Sequence, residues 1–221
     1  MTDDEATIAD KPTTADKPTI ADKPTTAANQ RRFLVLHGWQ NRRSSGHWHR
    51  LLVDGLRATG EQVLYPQFPD PDRPSLSEWT DLLRAELDQL GSGERIVVAH
   101  SLGVTLWLHA AALMTAAERV DRVVLVSPPS PAALAPYAEV ADFSRVRADG
   151  AAVERAATTT RLVYSDGDPY CPEGATAVLS PVRLDADFIP GAAHINPDSG
   201  YGDWPAMAAW CRDPTTRLTA R

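Results

Sequence analysis

A serine, an aspartate and a histidine each come directly after a short apolar run of this chain. Ser101 follows "RIVVAH", Asp168 lies in "SDGDP" after "TRLVY", and His194 follows "FIPGAA". A serine hydroxyl is a weak nucleophile until a histidine takes its proton, and that histidine needs a carboxylate to hold its tautomer and stabilise its cation. The three residue types together indicate nucleophilic catalysis, with Ser101 as nucleophile, His194 as base and Asp168 as acid.

Each of these residues has a plainer interpretation that the sequence leaves open. Ser101 precedes an apolar helix and is a candidate for its N-cap. Asp166 lies in the same turn as Asp168 and competes for the role of the acid, while His194 is a candidate for an ordinary loop residue. The remaining histidines are poorer candidates for the base: His37, His47, His49, His100 and His109.

Short apolar strands alternate with helical patterns from Arg32 onward. "RFLVLHG", "RIVVA" and "VDRVVLVSP" are typical of buried strands, and "SLSEWTDLLRAELDQLG" has a capping serine, Ser75, three residues before Glu78. The alternation predicts an α/β fold, with a mostly parallel sheet and helices on both faces. Ligands bind at the carboxyl ends of such strands, and the serine, aspartate and histidine follow these ends in the chain order of an α/β-hydrolase triad.

The two ends of the chain differ from the part between them. Residues 1–30 contain the segment "ADKPT" three times at six-residue intervals, which predicts a disordered, low-complexity tail because proline breaks helices and little can be buried. We expect the folded domain over residues 31–213 and a flexible C-terminus over residues 214–221. The irregular segment 128–158 predicts a loop with one or two short helices at the substrate entrance.

Composition excludes several classes of function. The formal net charge of −7 argues against nucleic-acid binding, which needs clustered basic residues. We find no signal-peptide pattern and no apolar run of the ~18 residues that a membrane span requires. The cysteine and histidine spacing is not that of a metal site, and the glycine loops of nucleotide sites are absent. We therefore expect a cytoplasmic protein without cofactor, metal or membrane contact.

Four segments carry a resemblance to a known family. "FLVLHGWQNRRSSGHWHRLL", "VVAHSLGVTLWLH", "VYSDGDPYCP" and "AHINPDSGYGDWPAM" resemble the retinoblastoma-binding protein 9 / YdeN family of small serine hydrolases. The resemblance runs from about residue 31 to about residue 212. It implies a minimal α/β-hydrolase fold with little or no lid, the triad Ser101, Asp168 and His194, and carboxylesterase-like activity.

The resemblance also implies roles for residues around the triad. The backbone N–H groups of Trp39 and Leu102 are expected to form the oxyanion hole. Ala99 and Ala193 stand where the family commonly has glycine, and at Ala99 we expect a slightly shifted turn rather than a lost one. Closeness in sequence to the triad or to the oxyanion residues makes four residues candidates for the wall of the substrate pocket: Gln40, Pro129, Tyr170 and Tyr201. The aromatic ones are equally candidates for the core between the sheet and its helices.

These observations predict a serine hydrolase that cleaves a small ester through an acyl-enzyme. The alternative is a non-catalytic protein-interaction module on a hydrolase scaffold, since a fold alone does not guarantee activity. The sequence leaves open an amide or thioester substrate, transfer of the acyl group to an acceptor other than water, and the identity of any protein partner.

Overall fold

Six parallel strands form one sheet in the computed structural model, which describes residues 30–180, 182 and 184–221. The strands are β1 (Arg31–Leu36), β2 (Gln62–Leu64), β3 (Glu94–His100), β4 (Val120–Val126), β5 (Ala157–Tyr164) and β6 (Asp185–Phe188). Their order across the sheet is β2-β1-β3-β4-β5-β6, so β2 lies on one side of β1 and all later strands lie on the other side. This confirms the α/β fold with a mostly parallel sheet that the sequence predicts.

Helices cover both faces of this sheet because alternate strand residues point to opposite sides. The helices are α1 (Trp48–Ala58), α2 (Leu76–Leu90), α3 (Leu102–Leu113), α4 (Pro131–Leu134), α5 (Gly150–Ala156), α6 (Ala175–Val178) and α7 (Pro205–Arg212). In β1, Phe33 and Val35 pack on the side of α1 and α7, whereas Leu34 and Leu36 pack on the side of α2, α3 and α5. All four side chains are fully buried.

Helix α3 is the central helix of its layer. It is apolar on nearly every side, and most of its residues are buried against the sheet, α2 and α5. A helix with no polar face has to be enclosed in this way. Because α3 directly follows Ser101, this enclosure holds the turn at that serine in place.

The connection between β4 and β5 is the irregular segment of the sequence. It contains α4, two short 3₁₀ turns at Ala138–Val140 and Phe143–Arg145, and α5. The expected loop with one or two short helices is confirmed. Within the described residues no separate lid domain is present, as expected of a minimal α/β-hydrolase fold.

The expected tail, residues 1–30, lies outside the described residues except for Gln30. For residues 214–221, where we expect a flexible end, the structure shows contacts of Arg217 and Leu218 with β6. Leu218 is buried, and its N–H donates to the Asp187 carboxylate (3.0 Å). The Arg217 guanidinium pairs with the same carboxylate (2.6 Å) and donates to the Ala186 carbonyl. The described helices include none that is long and apolar enough to cross a membrane.

Candidate active site

Ser101 lies at a sharp turn between β3 and α3. Its backbone has φ 56° and ψ −126°, a conformation that a non-glycine residue rarely adopts, and its side chain makes no capping hydrogen bond to the helix. The turn is compact because α3 begins against β1: a Cβ at Gly103 would lie 2.5 Å from the Leu36 carbonyl oxygen. Ala99 is a regular, fully buried residue of β3, so alanine at this position is accommodated by the turn.

The three residues predicted from chain order lie in one hydrogen-bonded row. Ser101 Oγ lies 2.8 Å from His194 Nε2, and His194 Nδ1 lies 2.9 Å from both carboxylate oxygens of Asp168. A carboxylate only accepts, so Nδ1 carries the hydrogen and Nε2 is left to accept from the serine hydroxyl. The row can therefore move a proton from Ser101 to His194 while Asp168 stabilises the resulting imidazolium.

The backbone around His194 is held by two side chains from other elements. His100 Nε2 donates to the carbonyl of His194 (2.9 Å), and Trp48 Nε1 donates to the carbonyl of Ile195 (2.9 Å). Ala193 and Ile195, the two neighbours of the histidine, both have positive φ, 46° and 49°. These hydrogen bonds compensate a strained turn that aims the imidazole at Ser101.

The two aspartates of the turn after β5 have different partners. Asp168 is buried, and besides His194 it accepts a hydrogen bond from the backbone N–H of Tyr170 (2.9 Å). Asp166 is exposed and accepts from the backbone N–H of Gly191, which lowers the pKa of its carboxyl. Asp166 thus supports the loop that leads to His194, and Asp168 contacts the imidazole itself.

The two backbone amides predicted to form an oxyanion hole, those of Trp39 and Leu102, lie next to residues that contact or adjoin Ser101. A Cβ at Gly38 would lie 2.9 Å from the Ser101 Cβ, so the chain before Trp39 passes directly over the serine. Leu102 is the first residue of α3, where backbone N–H groups lack helical acceptors. Among the described residues neither the Trp39 nor the Leu102 N–H meets an acceptor.

A cleft of about 420 Å³ opens at Ser101 and His194. Gln40, Pro129 and Tyr170 line it, as expected from the sequence. The structure places Tyr201 elsewhere: it is buried against Trp204, with ring centroids 5.3 Å apart. The reason is the 3₁₀ turn at Pro197–Ser199, which turns the chain inward before residue 201.

Several residues that line the cleft were not predicted from the sequence. Asn41, Arg42 and Ser44 come from the loop after β1, and His47 lies at the start of α1. Polar loop residues carry no periodic pattern, so only the folded chain assigns them to the cleft. The one available signal was their closeness in sequence to Trp39.

Four histidines close to the site are kept uncharged by burial. Burial lowers the pKa of His37 and of His47 to about 4, and it lowers the pKa of His49 and His100 well below the ordinary value. Neutral imidazoles are potential metal ligands. Among the residues that the structure describes, however, no group of three or more histidine, cysteine or acidic side chains is arranged to hold a metal ion.

The family is shown by comparison with known proteins. The model of a family described as serine hydrolase matches residues 33–212, most of the chain. The chain belongs to the serine hydrolase family. This confirms the prediction that the protein is a hydrolytic enzyme. A search of curated protein sequences found no match.

Solved structures share the fold of this serine hydrolase. The ydeN gene product of Bacillus subtilis has a TM-score of 0.69 and 22% identity, covering 82% of this chain and 96% of that one. A YdeN-like hydrolase from Pectobacterium atrosepticum has a TM-score of 0.61 and 18% identity, covering 83% and 90%. A structure from work on the metagenome-derived lipolytic enzymes LipS and LipT has a TM-score of 0.58 and 16% identity, covering 76% and 87%. The resemblance to the YdeN group and the α/β-hydrolase fold are thereby confirmed.

Proposed function

We propose that this serine hydrolase cleaves small carboxylic esters through an acyl-enzyme on Ser101, with His194 as general base and Asp168 as its orienting acid. The observation that carries the proposal is the row of hydrogen bonds from Ser101 Oγ to His194 and from His194 to Asp168, at 2.8 and 2.9 Å. These lengths are within reach for proton transfer in the ground state.

In the first half of the reaction the Ser101 oxygen attacks the ester carbonyl carbon while His194 Nε2 takes the hydroxyl proton. The carbonyl oxygen becomes an oxyanion, which the N–H groups of Trp39 and Leu102 stabilise. The carbon–oxygen bond to the alcohol then breaks, and His194 returns the proton to the departing oxygen. The alcohol leaves, and the acyl group stays on Ser101 as an ester.

In the second half water repeats the sequence. His194 takes a proton from the water, the hydroxide attacks the acyl-enzyme, and the proton returns to Ser101 Oγ as the acid departs. Esters are the proposed substrates for two reasons: the chain resembles carboxylesterase-like hydrolases, and one fold relative comes from work on lipases and esterases. The cleft of about 420 Å³ suits a small substrate.

The proposal is tested by labelling with a fluorophosphonate, which reacts with activated serines. We expect one adduct per wild-type chain by intact mass, and none on Ser101→Ala. Ser127→Ala is the matched control, because Ser127 directly follows the neighbouring strand β4 and has a similar positive φ of 48°. It should label like the wild type.

Hydrolysis of p-nitrophenyl acetate gives the second readout. Removal of the nucleophile from such a triad costs about 10⁴-fold or more in kcat. A folded wild type that takes no label and turns over no ester would contradict the proposal and favour a binding module. Labelling that persists in Ser101→Ala would move the nucleophile to another residue.

A further inference from the structure

His47 has a defined tautomer because its ring caps a helix. It is the N-cap of α1, and its Nδ1 accepts the backbone N–H of His49 (3.2 Å). A neutral imidazole carries a single N–H hydrogen. Since Nδ1 accepts, that hydrogen lies on Nε2, which makes Nε2 a donor.

The Nε2 donor of His47 is unused within the protein. Among the described residues it has no hydrogen-bond partner, yet it is not one of the buried polar atoms sealed from solvent without a partner. His47 lines the same cleft as Ser101 and His194 and is 6% exposed. A side chain this buried, with a free donor that reaches the cleft, is arranged to meet a bound ligand.

The ring is also held in place and kept neutral. Its centroid lies 5.6 Å from that of His100 and 5.8 Å from that of Trp48. Burial lowers the pKa of His47 to about 4, so the ring is uncharged at pH 7. A neutral donor suits an ether, hydroxyl or carbonyl oxygen, since it offers a carboxylate no charge to pair with.

His47 lies close to the general base but outside the hydrogen-bonded row. The rings of His47 and His194 both neighbour the ring of His100, with centroids 5.6 and 5.0 Å from it. In the described part of the chain His47 makes no hydrogen bond to Ser101, Asp168 or His194. Because the N–H groups of Trp39 and Leu102 are assigned to the scissile carbonyl oxygen in the proposed reaction, the donor of His47 is left for another oxygen of the substrate.

We propose that His47 Nε2–H donates to a second oxygen of the substrate, a few atoms from the scissile ester, and so selects oxygen-bearing esters over hydrocarbon ones. This rests on the function proposed above and narrows its substrate class. His47 is then a specificity residue that binds substrate without taking part in proton transfer.

Two substitutions distinguish the role of His47 as a hydrogen-bond donor to the substrate from its role as the N-cap of α1. His47→Asn keeps a strong N-cap side chain but is too short to place a donor where Nε2 lies. His47→Gln places its amide nitrogen near the position of Nε2 but is a poor cap. Both variants lose the buried imidazole, and we expect a lower urea midpoint for His47→Gln than for His47→Asn, because only asparagine keeps the cap.

Two pairs of isosteric esters measure the selection by oxygen. The acyl pair is p-nitrophenyl methoxyacetate and p-nitrophenyl butyrate, and the alcohol pair is 2-methoxyethyl acetate and butyl acetate. For each pair the ratio of kcat/KM, oxygen-bearing over hydrocarbon, is compared between variants, so that intrinsic reactivity cancels.

In His47→Asn the ratio should fall about tenfold for one of the two pairs, the loss typical of a missing hydrogen bond. In His47→Gln it should stay within about threefold of the wild type. The responding pair identifies the side of the substrate that His47 contacts. The inference would be overturned if the kcat/KM ratios of both pairs were unchanged in His47→Asn. It would also be overturned if the ratios fell equally in His47→Asn and His47→Gln.

Ser101→Ala, run in parallel, keeps the two proposals apart. If the wild type turns over the esters and Ser101→Ala does not, the esterase proposal stands. If the kcat/KM ratios are then the same in His47→Asn as in the wild type, only the role of His47 is contradicted. No wild-type turnover of any of the four esters defeats the esterase proposal, and the role of His47 with it.

Discussion

Ser101 has a backbone conformation that side chains normally avoid, and it shares this property with other residues at the same edge of the sheet. Positive φ angles recur at Gln40, Ser127, Ala193 and Ile195. Each costs of order 1–3 kcal/mol and persists only where surrounding contacts enforce it. Strain concentrated where strands end is therefore a physical marker of the site, independent of any motif.

The roles of the two aspartates differ at the level of single contacts. Asp168→Asn should lower kcat by about 10³- to 10⁴-fold, because an amide no longer stabilises the imidazolium or enforces the tautomer of His194. Asp166→Asn should lower it less than about tenfold, since it only weakens a bond to the Gly191 N–H. Steady-state hydrolysis of p-nitrophenyl acetate measures both. Equal losses would reassign the acid.

Ala193 is strained by its methyl group. Its φ of 46° is the region where glycine is unhindered, so Ala193→Gly should raise the free energy of unfolding by about 1 kcal/mol in urea titrations. Ala192→Gly is the matched control: Ala192 is buried and has no positive φ, so its replacement should destabilise by a similar amount. A lower free energy of unfolding for Ala193→Gly would mean that the packing of the methyl group stabilises the fold by more than its backbone strain destabilises it.

At the scale of elements, the site is joined by contacts between helices and loops that are far apart in the sequence. Helix α1 lies on the face opposite α3, yet its first residue, Trp48, is hydrogen bonded to the carbonyl of Ile195. This bond joins α1 to the loop that carries His194. The position of the base therefore depends on how α1 packs on the sheet.

Trp48→Phe tests this connection. A smaller phenyl ring replaces the indole and the N–H is lost, leaving the buried Ile195 carbonyl unpaired, so we expect a loss of about 1–3 kcal/mol in the free energy of unfolding beyond the lost packing, and a several-fold lower kcat. Trp107→Phe is the matched control, because the buried Trp107 Nε1 has no partner among the described residues. It should leave kcat unchanged. Equal effects of the two substitutions would argue against the connection.

The row of Ser101, Asp168 and His194 was predictable because Ser101 directly follows β3, and Asp168 and His194 lie in the loops after β5 and β6. Parallel strands bring their carboxyl ends to one edge, so local patterns are sufficient to juxtapose the three. His47 and Tyr201 were not predictable in this way. Whether they face the cleft depends on the packing of α1 and on a turn after His194, which are set by contacts between distant parts of the chain.

At the scale of the whole molecule, the buried histidines couple stability to pH. His37 and His47 have a pKa of about 4 in the folded protein, against about 6.5 for an unfolded chain. Below pH 6.5 the unfolded chain binds protons that the folded protein excludes. Stability that is fully present above pH 6.5 is therefore lost as the pH falls toward 4.

We expect the free energy of unfolding to fall between pH 7.5 and pH 5 by about 2 kcal/mol for each of these two histidines, with a further loss from His49 and His100. Urea titrations at the two pH values measure the difference. Equal stability at both pH values would contradict the burial of neutral imidazoles.

The repeat-containing N-terminus is expected to contribute nothing to the fold. The family match begins at residue 33, after the last "ADKPT" repeat. Deletion of residues 1–29 should leave the urea midpoint and ester hydrolysis within experimental error of the full chain. A large loss of either would show that the segment packs on the domain.

The last residues of the chain also affect how this protein behaves at high concentration. A parallel sheet has two outer strands whose unpaired backbone groups can recruit a strand of another molecule. Here β2 is only three residues long, and Arg217 and Leu218 lie across the free side of β6. In the described part of the chain, both margins of the sheet are thus poor templates for aggregation. A truncation that removes Arg217 and Leu218 would uncover one of them.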